Sequence, residues 1–132
     1  MILKSSEIKR LKDLTQFDLG AEFRDLHNDY DCTRIQLHEG TLSLSFRHCR
    51  HNSVFEIAFL AVDIVAFNVG DTLTSNGLTI MILNRSDAEV DGEYLEFDTK
   101  ERGYFYLGFI EDINIQFWAA GLEYNSEPKE NR

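Results

Sequence analysis

The sequence predicts a mainly β domain of the α+β class, an antiparallel sheet or small sandwich with a short N-terminal helix. After residue 32, apolar and polar residues alternate with a period of two, which is typical of half-buried strands. Turn dipeptides such as Glu39-Gly40 separate these stretches, and tight turns join antiparallel strands. Near the start, Ile8, Leu11 and Leu14 recur at helical spacing instead. Because Ser5 is a suitable N-cap, we expect a helix over residues 5–16.

The first predicted hairpin is centred on Glu39-Gly40. With these two residues as the turn, the register places apolar residues on one face and polar residues on the other. The sequence therefore predicts one buried face, made of the cross-strand pairs Leu37 with Leu42, Ile35 with Leu44, and Thr33 with Phe46.

The rest of the chain continues as strands. A third strand begins at Phe55, and its alternation slips near residues 61–63, which predicts a bulge or bend. Alternation resumes over 65–69, residues 78–83 are apolar on both faces and predict a central strand, and a last strand covers 113–117. We expect one domain over residues 1–124 and a polar tail over 125–132.

Composition restricts the class of partner. The 132 residues carry a formal net charge of -10. Repulsion from phosphate argues against nucleic acid and against anionic membrane surfaces, whereas a basic protein partner fits the sign of the charge. The longest apolar region, 54–69, is interrupted by Glu56, Asp63 and Asn68, so no membrane span is predicted. Two cysteines and no secretory signal favour the cytoplasm.

A second hairpin is predicted with its loop over 99–103, so that Leu95 and Phe97 face Leu107 and Phe105. Its other face would combine tyrosines with carboxylates. Tyrosine is enriched in binding hot spots, and carboxylates pair with Lys or Arg of a partner. The alternative is that a second layer covers this face and buries the rings. The predicted partner-binding residues are Tyr94, Glu96, Asp98, Tyr104 and Tyr106.

A polar cluster precedes the first hairpin. His27, Asp29 and Asp31 alternate, and in an extended chain they would share one side. Such a set would suit a divalent cation or acid–base chemistry in a small hydrolase. The alternative is a hydrogen-bonded entry into the strand, because Asp and Asn favour local bonds to the backbone.

A second cluster, Arg47 to His51, brings two histidines near the cysteines. His48 and His51 with Cys32 and Cys49 have the ligand types of a zinc site but lack a paired Cys-x-x-Cys spacing. No glycine loop for phosphate and no Gly-x-Ser-x-Gly elbow occurs. We therefore expect no metal, no cofactor and no catalytic residue.

The segment 26–46 resembles small bacterial immunity-type proteins that accompany polymorphic or contact-dependent toxins. The resemblance is carried by Leu26-His27-Asn28-Asp29, by Ile35 and by residues 40–46, Gly-Thr-Leu-Ser-Leu-Ser-Phe. Asn28 separates a His and an Asp that are adjacent in the family pattern, so no functional residue is carried over. The resemblance implies a non-enzymatic cytoplasmic protein that binds and blocks a toxin domain.

These observations favour an acidic protein-binding domain, most concretely an inhibitor of a basic, nuclease-like toxin. One alternative is the small hydrolase or metal-dependent protein built on His27, Asp29 and Asp31. Another is a structural subunit of a larger assembly. The oligomeric state is left open.

Overall fold

The computed structural model describes residues 2–11, 14–18, 23–69 and 77–126. The described chain is mostly antiparallel strand, which confirms the mainly β prediction. The first sheet contains five strands in the order β1-β13-β6-β5-β4, and the second contains four in the order β7-β12-β11-β8. Two short hairpins, β2–β3 and β9–β10, accompany these sheets. The strand bounds are β1 Ile2–Lys4, β2 Gln16–Asp18, β3 Phe23–Asp25, β4 Tyr30–His38, β5 Thr41–His48, β6 Val54–Leu60, β7 Asp63–Val69, β8 Ile80–Ser86, β9 Ala88–Val90, β10 Glu93–Leu95, β11 Gly103–Phe109, β12 Ile113–Ala119 and β13 Gly121–Ser126.

Two strands pass from one sheet into the other. β6 continues into β7 through Ala61, whose φ is 52°, and β12 continues into β13 through Ala120. The Ala120 N–H donates to the Leu60 carbonyl, and the Val62 N–H donates to the Gly40 carbonyl at the tip of the first hairpin. The predicted bend near residues 61–63 is therefore the corner at which the chain changes sheets.

The core lies between the two sheets and is rich in phenylalanine. Phe59 of the first sheet contacts Phe105 and Phe117 of the second, with ring centroids 5.0 and 4.9 Å apart. Phe17, from the β2–β3 hairpin, packs edge-on against Phe55 and extends this core. All five rings are essentially inaccessible to solvent, so these phenylalanines form the centre of the core.

The predicted N-terminal helix over residues 5–16 is wrong. Only a single 3-10 turn, Ser5–Glu7, is present in its described part. β1 pairs with β13, and buried Ser5 donates its backbone N–H to Ala120 and its hydroxyl to the Ala119 carbonyl. These tertiary bonds hold the segment along the sheet and outweigh its weak local helical preference.

The first hairpin forms around Glu39-Gly40 as predicted, with Ile35 opposite Leu44 and Leu37 opposite Leu42. A register shift after Cys32 places that residue, not Thr33, opposite Phe46. The prediction of one fully buried face is also wrong. Leu42, Leu44 and Phe46 are buried, but Thr33 is exposed and Leu37 is 53% exposed. β4 is an edge strand, so the second layer does not cover its far end.

The predicted second hairpin does not form. β10 pairs with β9 across the turn Asp91-Gly92, and β11 lies between β12 and β8. Only an isolated bridge, Phe97 to Gly103, remains of the predicted pairing. Asp91 and Gly92 both have positive φ, 51° and 81°, as a two-residue type I′ turn requires. The predicted central strand near 78–83 is also corrected, because β8 is an edge strand.

β13 includes the first two residues of the predicted tail, Asn125 and Ser126. Asn125 pairs with Glu56 in the first sheet. The rest of the predicted tail, 127–132, lies outside the described residues. No helix in the described ranges is long and apolar enough to cross a membrane.

Candidate interaction surface

The β9–β10 hairpin presents a dense group of free carboxylates. Glu89, Asp91 and Glu93 are all exposed, and none forms an ion pair or side-chain hydrogen bond with the described part of the chain. Tyr94 is paired with Glu89 across the hairpin and is 72% exposed. The four side chains, called the acidic hairpin surface below, occupy both faces of the hairpin, because Glu93 is paired with Val90 and not with Tyr94. They combine an available aromatic ring with three charges that have no partner among the described residues.

The base of this hairpin is anchored to the outer face of the second sheet. Ala88 and Leu95 pack with Tyr104 and Trp118 in a small cluster separate from the main core. The rings of Tyr104 and Trp118 meet edge-on at 5.0 Å, and the Tyr104 hydroxyl donates to Gln116 at 2.6 Å. Burial raises the pKa of Tyr104. The hairpin is thus held at its base while its charged tip stays in solvent.

Arg85 fixes the chain that follows the hairpin. Its side chain is 1% exposed and forms an ion pair with Glu96. The guanidinium also donates to the carbonyls of Ile8 and Glu96, at 3.1 and 3.0 Å, and lies 4.6 Å from the ring centre of Phe97. One buried cation therefore ties together the N-terminal segment, β8 and the strand exit at residue 96.

A groove of about 680 Å³ separates the N-terminal segment from the hairpin. It is lined by residues 6–11, by Ser86 and Asp87, and by Tyr94 and Glu96. Arg10 and Asp87 form an ion pair at 2.7 Å on this groove. The other carboxylate oxygen, Asp87 Oδ1, is buried and has no hydrogen-bond partner among the described residues.

The five predicted partner-binding residues do not share one face. Tyr94 is exposed, and Glu96 is half-exposed and paired with Arg85. Asp98 accepts hydrogen bonds from Arg102, and Tyr104 is buried under the hairpin, as the covered-face alternative predicts. Tyr106 is half-buried on β11.

Sequence reasoning missed the carboxylates of the acidic hairpin surface. The sequence feature that could have located them is Asp91-Gly92, a dipeptide typical of two-residue hairpin turns. Recognising it as the turn would have placed Glu89 and Glu93 on the two flanking strands.

The polar cluster before the first hairpin does not form the predicted extended array. Residues 26–29 form a turn, so His27, Asp29 and Asp31 do not alternate along one strand. His27 Nδ1 contacts the Ile80 carbonyl, while Asp25 accepts bonds from the backbone of His27 and Asn28. Burial alone would raise the pKa of Asp25, but its bonds with Asn28 and His27 lower it overall. The segment is therefore a hydrogen-bonded entry into β4, which is the alternative that the sequence offered.

The second cluster brings its two histidines together, but its two cysteines differ in burial. Cys32 is buried and Cys49 is exposed, and both are free thiols. Burial raises the pKa of Cys32 to about 12. The rings of His48 and His51 lie tilted against each other, with centroids 4.4 Å apart. Across the described ranges, no three His, Cys, Asp or Glu side chains are grouped so that they could hold a metal ion.

Searches of protein-family models, curated proteins and solved structures each returned no match to this chain. The site is therefore interpreted from its own geometry and charge.

Proposed function

We propose that this protein is a non-enzymatic, cytoplasmic binding domain that recognises a basic protein partner through the acidic hairpin surface. Its most concrete form is an immunity protein that neutralises a basic, nuclease-like toxin domain. The observation that carries the proposal is a set of three exposed carboxylates on one hairpin, Glu89, Asp91 and Glu93, which have no partner among the described residues. The exposed ring of Tyr94 lies beside Glu89.

Unpaired carboxylates favour an external partner for an energetic reason. A carboxylate already bonded within the chain, as Asp98 is to Arg102, must lose that bond before it binds elsewhere. Glu89, Asp91 and Glu93 lose only water, and their clustered field accelerates encounter with Lys and Arg side chains. Tyr94 adds an aromatic face on which a partner's guanidinium stacks.

The anchored base of the hairpin supports tight binding. Ala88 and Leu95 pack on Tyr104 and Trp118, and the two-residue turn limits the backbone of the tip. A surface ordered before binding loses less conformational entropy on association. The resemblance of residues 26–46 to immunity-type proteins supplies the toxin-blocking role, and the net charge of -10 supplies the sign of the partner.

The proposal is tested by affinity capture from the source cell, with the wild-type chain and two triple variants as bait. One variant changes the hairpin: Glu89→Gln, Asp91→Asn and Glu93→Gln. The control also removes three exposed carboxylates, by Glu39→Gln, Glu56→Gln and Glu123→Gln. We expect a basic protein to be captured by the wild type and the control, and lost with the hairpin variant.

The captured protein is then expressed with and without this chain. Relief of its toxicity by the wild type, but not by the hairpin variant, supports the immunity role. Equal capture by both triple variants would show that net charge, and not the hairpin, selects the partner. Tyr94→Ala should raise the dissociation rate, whereas added salt should mainly slow association.

A further inference from the structure

The groove beside the acidic hairpin surface contains a carboxylate that is fixed in place but bonded through only one of its oxygens. Glu96 accepts from the buried Arg85 through Oε1. Its Oε2 has no bond within the described part of the chain, and the side chain is 46% exposed. A carboxylate accepts several hydrogen bonds, so Glu96 can bind a second donor without losing Arg85. Asp98 differs, because Lys100 and Arg102 already donate to both of its oxygens.

Apolar surface lies along the same groove. The ring of Tyr94 is 72% exposed, and Leu11, which also lines the groove, is 56% exposed. Leu11 is held there by its backbone N–H, which donates to the Arg85 carbonyl. An aromatic face attracts a cation, and an aliphatic side chain can cover the methylene groups that carry the charge. The groove therefore suits a long cationic side chain.

One guanidinium from within the chain already occupies part of the groove. Arg10 donates to Asp87 Oδ2 at 2.7 Å, and the Arg10 side chain is 51% exposed. A partly exposed ion pair of this kind contributes little to stability, so rearranging it costs little. The groove thus combines one carboxylate with an open oxygen, Glu96, and a second carboxylate, Asp87, that is covered by an exchangeable cation.

We infer that this groove receives an arginine side chain of the basic partner, an inference that rests on the proposed function. The guanidinium donates to Glu96 Oε2 and stacks on Tyr94, while its methylene groups cover Leu11. Arginine fits better than lysine because its planar guanidinium stacks on an aromatic ring and carries five donors, enough for more than one carboxylate. Tyr94 is also the cross-strand partner of Glu89, so the groove adjoins the acidic hairpin surface that attracts the partner.

Arg10 has a second role in this arrangement. Its guanidinium carries the same charge as the incoming arginine and covers the carboxylate of Asp87. Removing it should therefore strengthen binding, by lifting a repulsion and by opening a second acceptor. The groove predicts opposite effects for a cation and a carboxylate that line it, which a purely structural role of either residue does not predict.

The experiment is an NMR titration of the isotope-labelled full chain with N-acetyl-arginine amide at low ionic strength. We expect saturable shifts of backbone amides within 8–11 and 87–96, with a dissociation constant on the order of 1–10 mM for a single side chain. N-acetyl-lysine amide should bind more weakly. N-acetyl-citrulline amide, which has nearly the same shape but no charge, should give no saturable shifts.

Variants locate the site within the groove. Glu96→Gln and Tyr94→Ala should each weaken binding of the arginine probe by about 2–5-fold, as for a partly exposed ion pair or cation–π contact. Glu123→Gln, an equal charge change at an exposed position of β13, should not. Arg10→Gln should strengthen binding, whereas Arg34→Gln, at an exposed position of β4, should leave it nearly unchanged.

Equal responses to the arginine and citrulline probes overturn the inference, as do equal losses with Glu96→Gln and Glu123→Gln. A lysine probe that binds as tightly overturns the assignment of arginine, and weaker binding with Arg10→Gln overturns the role of Arg10. The titration needs no partner, so the two proposals can fail separately. A saturable arginine response without capture of a basic protein supports the groove and counts against the function. Capture that the hairpin triple variant abolishes, with no response to the arginine probe, supports the function and overturns the groove.

Discussion

Replacing Arg85 by methionine should reveal how much of the stability depends on one buried cation. The change keeps an aliphatic side chain of similar length but removes the donors to the Ile8 and Glu96 carbonyls and to the Glu96 carboxylate. Removing one partner of a buried ion pair costs about 3–5 kcal/mol, mainly because the groups left behind are unsatisfied. Glu96 has a side chain 46% exposed and can turn to water. We therefore expect a loss of about 3 kcal/mol, the lower end of that range.

The control for this prediction is Glu96→Gln. The amide oxygen can still accept from Arg85, and solvent screens the half-exposed charge, so the expected loss is about 1 kcal/mol or less. Urea unfolding, followed by fluorescence of Trp118 and by circular dichroism, measures both free energies. A loss of less than about 1 kcal/mol for Arg85→Met, or equal losses for the two variants, would refute the claim that unsatisfied carbonyls dominate.

Three further outcomes are expected. Leu44→Ala should cost about 2–5 kcal/mol of unfolding free energy, and Leu37→Ala, near the exposed tip, less than about 0.5, a comparison that urea titration settles. Cys49 should react with iodoacetamide in the folded protein, and Cys32 only after unfolding, as mass spectrometry would record; modification of Cys32 in the native state would contradict its burial. Burial alone would raise the pKa of Asp98, but the backbone and guanidinium bonds of Arg102 lower it overall, so its stabilisation is present above the ordinary Asp pKa and is lost as pH falls through the lowered value. Asp98→Asn should therefore lower stability near neutral pH and flatten this acid limb, and an unchanged limb would count against it.

The sequence predicts those parts of the fold whose pairing is local. The first hairpin has alternating residues on both sides of Glu39-Gly40, so turn and pattern select one register. Its exposure could not be predicted, because whether Leu37 is covered depends on the position of β4 at the edge of the sheet. The change of sheet at Ala61 interrupts the alternation of apolar and polar residues, so a bend could be predicted there from the sequence.

The failures have a common physical cause. Ile8 and Leu14 recur at helical spacing, but both are buried in the main core of the sheet structure. Pairing of β1 with β13, more than a hundred residues apart, decides the path of that segment. At the candidate site, two hairpins competed for the same strand, and the tighter turn at Asp91-Gly92 formed. The predicted partner-binding residues were therefore placed on a hairpin that does not form, although Tyr94 belongs to both hairpins.

The charge of the hairpin should also govern how salt acts on capture of the partner. The carboxylates at the β9–β10 tip attract a cationic partner, so added salt should weaken its capture by screening that attraction. The hairpin triple variant should bind more weakly and with a smaller salt dependence, whereas the control variant at Glu39, Glu56 and Glu123 should keep most of both. An equal change in the two variants would mean that net charge, and not the position of the carboxylates, sets the salt dependence.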